Sequence, residues 1–489
     1  MKKVIVIGAG FSGIAAATHI SLLDSEVIVF DNHSHPGGRA RKFEKEGFTF
    51  DMGPSWYWMP DVFENHFKHF GRAVSDFYTL KRLDPSYQIY FSSTEKHSIP
   101  AHLNQIFKLF EILEPYSSNA LKQFLAEGQE KYKVAMSDFV FKPSLSIKEY
   151  FDLRLLKAAF KLHMFTAFSK YTSRFFKDSR VLKLLEFPIL FLGGTGDQTP
   201  AMYSLMNYAD MVLGTWYPMG GMFEIVSGME KLAKEKHVLF KYNETVEKIV
   251  IKNGKATGII SNGVFYEADA IIASADYHYI EQNLIAPEFR KYSTKYWEKR
   301  KMSPSCLIFY IGVNKKIDGL EHHNLMFDTD FNKHAQQIYN TPSWPEDPAV
   351  YICAPSITDP TVAPKGYENL FVLIPLAAGL SDNETEREKL YLNVMKRLEI
   401  LTNQSILPNV IYKKSYAMND FAKDYNAFKG NAYGLSNTLL QTAFLKPKMT
   451  NKKVSNLVYT GQLTVPGPGI PSSIISGNIA AQLIKNILF

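Results

Sequence analysis

Three glycines, a carboxylate and two glycine-rich turns are the residues of this chain whose types and spacing point most directly to chemistry. Gly8-x-Gly10-x-x-Gly13, with Ala17 one turn further on, lies between a β-branched run (KVIVI) and a helical run (SGIAAATHISLL). Gly8 permits a tight turn and Gly10 lets a pyrophosphate approach the backbone. Gly13 and Ala17 let the helix pack close to a sheet, and the helix start, with Phe11 and Ser12, faces the phosphates. A second strand, EVIVFD, ends at Asp31, eighteen residues beyond Gly13. An acidic side chain there can accept from a ribose 2′-hydroxyl, and Asn32 follows it directly. A strand before the glycines, a helix after them and an acid at that distance together point to a bound dinucleotide.

The following residues say which dinucleotide. Gly37-Gly38-Arg39 offers open backbone amides and a guanidinium for a second approach to the pyrophosphate. Gly53-Pro54-Ser55 is another turn that exposes backbone. A nicotinamide domain needs neither, whereas a flavoprotein that buries FAD along its whole length uses both. FAD is therefore the expected cofactor. Trp56, Tyr57 and Trp58 come straight after the second turn, which makes Trp56 and Trp58 candidate walls of a substrate pocket. The chain shows no convincing acid–base constellation, and no catalytic base is assigned.

The stretches GAGFSGIAAA (8–17), PGGRA (36–40), FDMGPS (50–55), YPMGG (217–221) and the block from Leu457 run from one end of the chain to the other. In them the sequence resembles the carotenoid (phytoene-type) desaturases. That family lies within the FAD superfamily of amine oxidases, protoporphyrinogen oxidase and the Rab GDP-dissociation inhibitors. Over its length the chain looks most like the bacterial hydroxycarotenoid 3,4-desaturase branch. The resemblance implies an FAD-dependent desaturase that removes two hydrogens from a long apolar polyene, with hydride transfer to flavin N5. Phytoene-type desaturation, carotenoid isomerisation, an amine-oxidase-like reaction and a non-catalytic prenyl-binding escort role stay open beside it.

The resemblance also implies site residues. The position matching Val246 presents its backbone to the adenine. Tyr217 stands near flavin and substrate. Gly461 and Gln462 approach the pyrophosphate and ribityl chain. Gly469, Ile470 and Pro471 pass beneath the isoalloxazine, and the helix that follows aims its N-terminus at the flavin, with Ser472 or Ser473 near its cap. Where the family commonly has a His-Pro pair, this chain has Val465-Pro466 and Pro468, a departure that touches the contacts between Gln462 and Gly469.

Positioning these residues takes several elements. Residues 238–276 alternate like an antiparallel meander with Asn-Gly turns at 253–254 and 262–263, followed by the strand AIIASAD that ends at Asp276. Residues 277–455 read as apolar strands alternating with amphipathic helices, an α+β lobe able to floor a pocket. The expected fold is α/β (α+β overall), a Rossmann-like FAD-binding domain with an inserted α+β substrate-binding domain. The boundaries are 1–80, 215–280 and 455–489 for the FAD-binding part, and 81–214 and 281–454 for the substrate-binding and membrane-associating part. Within the latter, 153–185 is basic and rich in Phe and Leu, a pattern that suits a membrane interface and a solvated helix face alike. A water-insoluble substrate favours the membrane, and with it a cytoplasmic protein attached peripherally to the inner face.

Composition bounds the alternatives. The chain has 489 residues, 46% apolar and 21% charged, a folded composition for two or three lobes. The net charge of +7 fits an anionic cofactor or lipid surface, and no basic arm or recognition helix points to nucleic acid. The two cysteines, Cys306 and Cys353, lie in apolar runs and read as buried small hydrophobes. There is no CxxC, HExxH or zinc-spaced Cys/His pattern, so no metal is expected. The basic, apolar N-terminus mimics a signal peptide, but its glycines interrupt such a helix at the dinucleotide spacing. No apolar stretch is long enough to span a bilayer. The terminal electron acceptor, oxygen or a quinone, is left open.

Overall fold

The computed structural model of the chain describes residues 1–146, 149, 162–164, 166–190, 193–438 and 440–489. The β-branched run near the start forms the strand Lys2–Ile7, with Val4 to Ile7 buried on both faces. Continuous apolar character of this kind is what a parallel strand covered on both sides requires. The strand lies inside a six-stranded sheet ordered Thr450–Asn451, Val454–Tyr459, Ala270–Ala273, Lys2–Ile7, Ser25–Phe30, Leu239–Lys241. All neighbours are parallel except the outermost pair, Thr450–Asn451 with Val454–Tyr459. The helix Phe11–Ile20 leaves the first strand and is buried on nearly every side. The C-terminal helix Ile470–Leu488 crosses it closely, because a Cβ on Gly477 would stand 2.3 Å from the Ser12 carbonyl oxygen.

The expected meander is present as Val246–Lys252, Lys255–Ser261 and Val264–Glu267, paired antiparallel. Its turns are Asn253-Gly254 and Asn262-Gly263, with φ of +48°, +68°, +46° and +77°, the left-handed pairs that tight hairpins demand.

A second sheet of seven strands runs Val410–Tyr416, Ser305–Val313, Glu368–Leu376, Val350–Cys353, His323–Met326, Tyr87–Tyr90, Lys96–Ile99. The period of two along Ser305–Val313 separates its faces. Leu307, Phe309 and Ile311 pack toward the helix Glu384–Thr402 through Leu390, Val394 and Leu398. Cys306, Ile308 and Tyr310 face an aromatic cluster containing Phe50, Trp58, Tyr87 and Phe187. The strands of the first sheet come from 2–30, 239–273 and 450–459, and those of the second from 87–99 and 305–416. The basic segment expected to meet a membrane lies partly outside the described residues. What is described of it includes the helices Phe168–Thr172 and Ser179–Leu190. Among the described residues no helix is long and apolar enough to cross a membrane.

Candidate functional site

The first strand delivers Gly8 into a turn with φ of +103°, its amide donating to the Phe30 carbonyl at 2.7 Å. A Cβ on Gly13 would lie 2.0 Å from the Gly8 carbonyl oxygen, so the helix touches the turn there. Gly10 is different: a Cβ there meets nothing within 4 Å, because it would point into open space. Asp31 closes the turn from the next strand, its carboxylate accepting from the Ala9 amide at 2.7 Å and from the His33 amide at 2.9 Å. A carboxylate has lone pairs beyond these two, and Asp31 still borders the cavity.

The second turn is tied to the first, since the Gly37 amide donates to the Ala9 carbonyl at 2.8 Å. Gly37 and Gly38 have φ of +116° and +54°. A Cβ on Gly53 would stand 2.4 Å from the Arg39 carbonyl oxygen, which places the two glycine-rich turns in contact. Burial pushes the Arg39 pKa down while the Asp276 carboxylate opposes that shift. The guanidinium donates from Nη2 to the Asn431 carbonyl at 3.2 Å. With its amide oxygen assigned toward the guanidinium, Gln462 accepts from Nη1 and Nη2 at 3.2 and 2.9 Å. Nε of Arg39 is buried with no partner among the described residues. A buried cation with a spare donor beside open glycine backbone suits a pyrophosphate.

Gly461 ends the strand Val454–Tyr459 with φ of +104°, held by its amide donating to Ser476 Oγ at 3.0 Å. At the start of the C-terminal helix the N-cap is Gly469, with φ of +104°, and Ser472 and Ser473 lie in the first turn just after it. No side chain caps this end, and a Cβ on Gly469 meets nothing within 4 Å. Pro471 occupies the first turn as its fixed φ favours. The uncapped amides are left to the cavity that Gly469, Ile470, Pro471, Ser472 and Ser473 border.

All these groups line one cavity of about 400 Å³. It also takes in Phe11, Ser12, Asn32, Pro54, Ser55, Trp56, Trp58 and Val246. Gly13 and Tyr217 are the exceptions. Gly13 sits behind the turn, and Tyr217 borders a smaller void of about 20 Å³ behind Pro54 and Ser55. The cavity is polar near Asp31, His33 and Glu244 and apolar near Trp58, Met206, Ile308, Leu373 and Phe421. The orphaned Arg39 donor, the open Gly10 and the uncapped helix fit a dinucleotide flavin, with the apolar end left to a hydrophobic substrate.

Sequence reasoning missed two supports. Asp51 accepts from the Met222 and Phe223 amides at 2.7 and 3.0 Å, so FDMGPS caps the helix that follows YPMGG. Burial raises its carboxyl to about 6 against those bonds. A Cβ on Gly221 would crowd this carboxylate at 2.9 Å, and an acid paired with a distant Gly-Gly was the available signal. Behind the apolar wall, Trp58 Nε1 donates to Thr215 Oγ1 at 2.8 Å, and Thr215 and Tyr87 both donate to Asp210 at 3.2 and 2.9 Å. Asp210 comes from a segment with no motif, so nothing in the sequence pointed to it.

Comparison with known proteins adds an independent finding. The family described as flavin containing amine oxidoreductase matches residues 11–485. The carotenoid 3,4-desaturase of Haloarcula japonica is 35% identical over 488 residues, which cover 99% of this chain and 99% of that protein. The zeta-carotene-forming phytoene desaturase of Myxococcus xanthus is 31% identical over 485 residues, 98% of this chain and 93% of that one. Among solved structures, an oxidoreductase from Methanosarcina mazei shares the fold with a TM-score of 0.66 at 16% identity, over 97% of this chain and 99% of its own.

Proposed function

The chain belongs to the flavin containing amine oxidoreductase family and, within it, to the carotenoid desaturases, and from that premise we propose that it introduces the 3,4 double bond of a 1-hydroxycarotenoid. It is an FAD-dependent oxidoreductase acting on CH–CH groups. The observation that supports the reading best is the single cavity joining a dinucleotide cradle to an apolar chamber.

Bound FAD supplies the two-electron acceptor that this chemistry requires. The chain's own residues bind and orient. Gly8, Gly10 and Gly37 bring backbone to the pyrophosphate, Arg39 offers its free donor, and Asp31 with Asn32 and Val246 frames the adenosine end. Trp56 and Trp58 wall the apolar end, and Trp58 is fixed there by its bond to Thr215. Apolar walls hold the polyene by burial and exclude water, which would trap a developing cation. Conjugation spreads that charge, so the chain needs no strong base beside the reacting carbons. We assign 1–80, 215–280 and 455–489 to holding FAD, and 81–214 and 281–454 to holding the substrate.

Expression in cells that make acyclic and 1-hydroxylated carotenoids tests the reading. The 1-hydroxylated pigments shift to longer wavelength as one double bond joins the conjugated run, and the unhydroxylated ones stay unchanged. Conversion of phytoene instead would assign the phytoene-type reaction, and an unchanged panel would defeat both.

We also place the protein at the inner face of the membrane. Phe141, Leu440 and Leu445 are exposed by 46, 79 and 40%, on two loops that Lys448 joins by donating to the Ser144 carbonyl at 2.7 Å and to the Phe444 carbonyl. Apolar tips beside lysines suit an anionic lipid surface. Phe141→Ser with Leu440→Ser is expected to cut co-sedimentation with anionic phospholipid vesicles about tenfold, the roughly 1.4 kcal/mol lost with two partly inserted side chains. Undiminished binding by the double variant sinks this placement.

A further inference from the structure

Next to the cavity, the second sheet brings two adjacent histidines together with a cysteine thirty residues further along the sequence. His323 is paired opposite Cys353 in neighbouring antiparallel strands, and His322 precedes it. One ring nitrogen of each histidine and the Cys353 sulfur lie within 4.8 Å of one another. All three residues are buried, with His322 at 3%, His323 at 0% and Cys353 at 4% exposure. The two imidazole rings are 4.5 Å apart between centroids. Each ring spends one nitrogen locally: His322 Nδ1 lies 2.8 Å from Thr358 Oγ1, and His323 Nδ1 lies 2.7 Å from Tyr351 Oη. The other nitrogen of each, Nε2, has no partner among the described residues.

Unpartnered buried imidazole nitrogens cost free energy that a packed core ordinarily avoids. Tyr351 donates its own proton to Ser55 Oγ at 2.9 Å, so His323 Nδ1 must be the donor in its contact with Tyr351. Its Nε2 is then a bare lone pair. A cation satisfies both Nε2 atoms and the thiol at once, with His322 in the tautomer whose Nδ1–H donates to Thr358 Oγ1. We propose that His322, His323 and Cys353 form a binding site for a thiophilic d¹⁰ cation, Zn²⁺ or Cu⁺, distinct from the flavin site.

The donor set supports that class, since two imidazoles and one thiolate suit zinc or copper and poorly suit magnesium or calcium. Bonds of about 2.0 Å to nitrogen and 2.3 Å to sulfur separate the two nitrogens and the sulfur of a tetrahedral site by about 3.3–3.5 Å. The 4.8 Å cluster reaches that with shifts of side-chain size. Binding breaks the Cys353 S–H bond, forms a metal–sulfur bond and releases one proton to solvent. The bonds of His322 to Thr358 and of His323 to Tyr351 hold the rings in place, as outer partners of metal-bound histidines do. The Asp359 carboxylate, 3.4 Å from the Tyr217 hydroxyl and acting on His322, supplies nearby negative charge. Trp56 stacks on His323 at 4.0 Å between centroids, so its fluorescence reports on occupancy.

The test uses the yellow full-length holoprotein. It is exposed to Zn²⁺ or, under reducing anaerobic conditions, to Cu⁺, then dialysed against a weak chelator and analysed for metal and flavin. The expected result is about one equivalent of one of these metals per chain and quenched tryptophan emission. Cys353→Ser and His323→Gln are expected to retain at least tenfold less metal at unchanged flavin content. Wild-type protein holding under a tenth of an equivalent of either metal overturns the site. So does equal retention by wild type and both variants, which would mark an adventitious ion. If a variant loses its flavin, the wild-type stoichiometry and quenching decide alone.

Discussion

Gly10→Ala is expected to give a folded protein that has lost most of its affinity for FAD, whereas Gly13→Ala should give almost no folded protein. The two glycines are three residues apart and belong to one motif, yet the added methyl meets opposite surroundings. At Gly10 the backbone is ordinary, with φ of −78°, and the methyl touches no protein atom within 4 Å. It projects into the cavity where the phosphates approach, and displacing them costs about 1–3 kcal/mol, or about 5–150-fold in flavin affinity. At Gly13 the methyl would stand 2.0 Å from the Gly8 carbonyl oxygen and 3.0 Å from Ser274 Oγ. Both neighbours are fixed, the first by a turn with positive φ and the second by its 2.8 Å bond to Ser12 Oγ. Relief requires lifting the first helix off the sheet, and overpacking of this kind costs about 3 kcal/mol or more.

Gly477→Ala repeats the test from the other side of the same helix, because its methyl would stand 2.3 Å from the Ser12 carbonyl oxygen. It should behave like Gly13→Ala. Soluble yield, circular dichroism and flavin absorbance separate the outcomes. A Gly13→Ala protein that is soluble and yellow would show that the helix can shift, and the close-packing account would fail. A Gly10→Ala protein with undiminished flavin would remove the phosphates from that turn.

The FAD-binding half was legible because its constraints act on backbone. A positive φ at Gly8 or Gly37, and a close approach at Gly13 or Gly53, can be met only by glycine, so residue type and spacing record the geometry directly. The Asn-Gly turns of the meander were legible for the same reason. Side-chain networks left no such trace. Asp210, Thr215 and Trp58 meet only through tertiary packing, and the same residue types at the same spacing occur in any helix end. The His322, His323 and Cys353 cluster was hidden for a further reason. Metal patterns are recognised by spacing along the chain, and here a strand pairing across thirty residues of sequence replaces that spacing.

Asp210→Asn is expected to stabilise the protein at alkaline pH and to do little in acid. Asp210 is 2% exposed, and burial raises its carboxyl from 3.8 to about 7 against its bonds from Tyr87 and Thr215. The folded state therefore keeps a proton that the unfolded chain releases near pH 4. Between those values the folded state binds more protons, so stability falls as pH rises. The penalty is absent below about pH 4 and complete above about pH 7, where a shift of this size corresponds to about 4 kcal/mol. Asparagine is neutral throughout. Its oxygen accepts from Tyr87, and its amide donates to Thr215 Oγ1, which still accepts from Trp58. Turning the Thr215 hydroxyl away costs part of the gain and leaves about 3 kcal/mol at pH 8. The thermal midpoint of the variant should lie slightly below that of wild type near pH 4.5, cross it as pH rises and stand clearly above it by pH 8, with Trp58 held and flavin content equal. A difference that stays constant across that range would mean that Asp210 does not change its protonation between the folded and unfolded states. The carboxyl would then have to be ionised in the fold, with a cation or water beside it that Tyr87 and Thr215 do not supply.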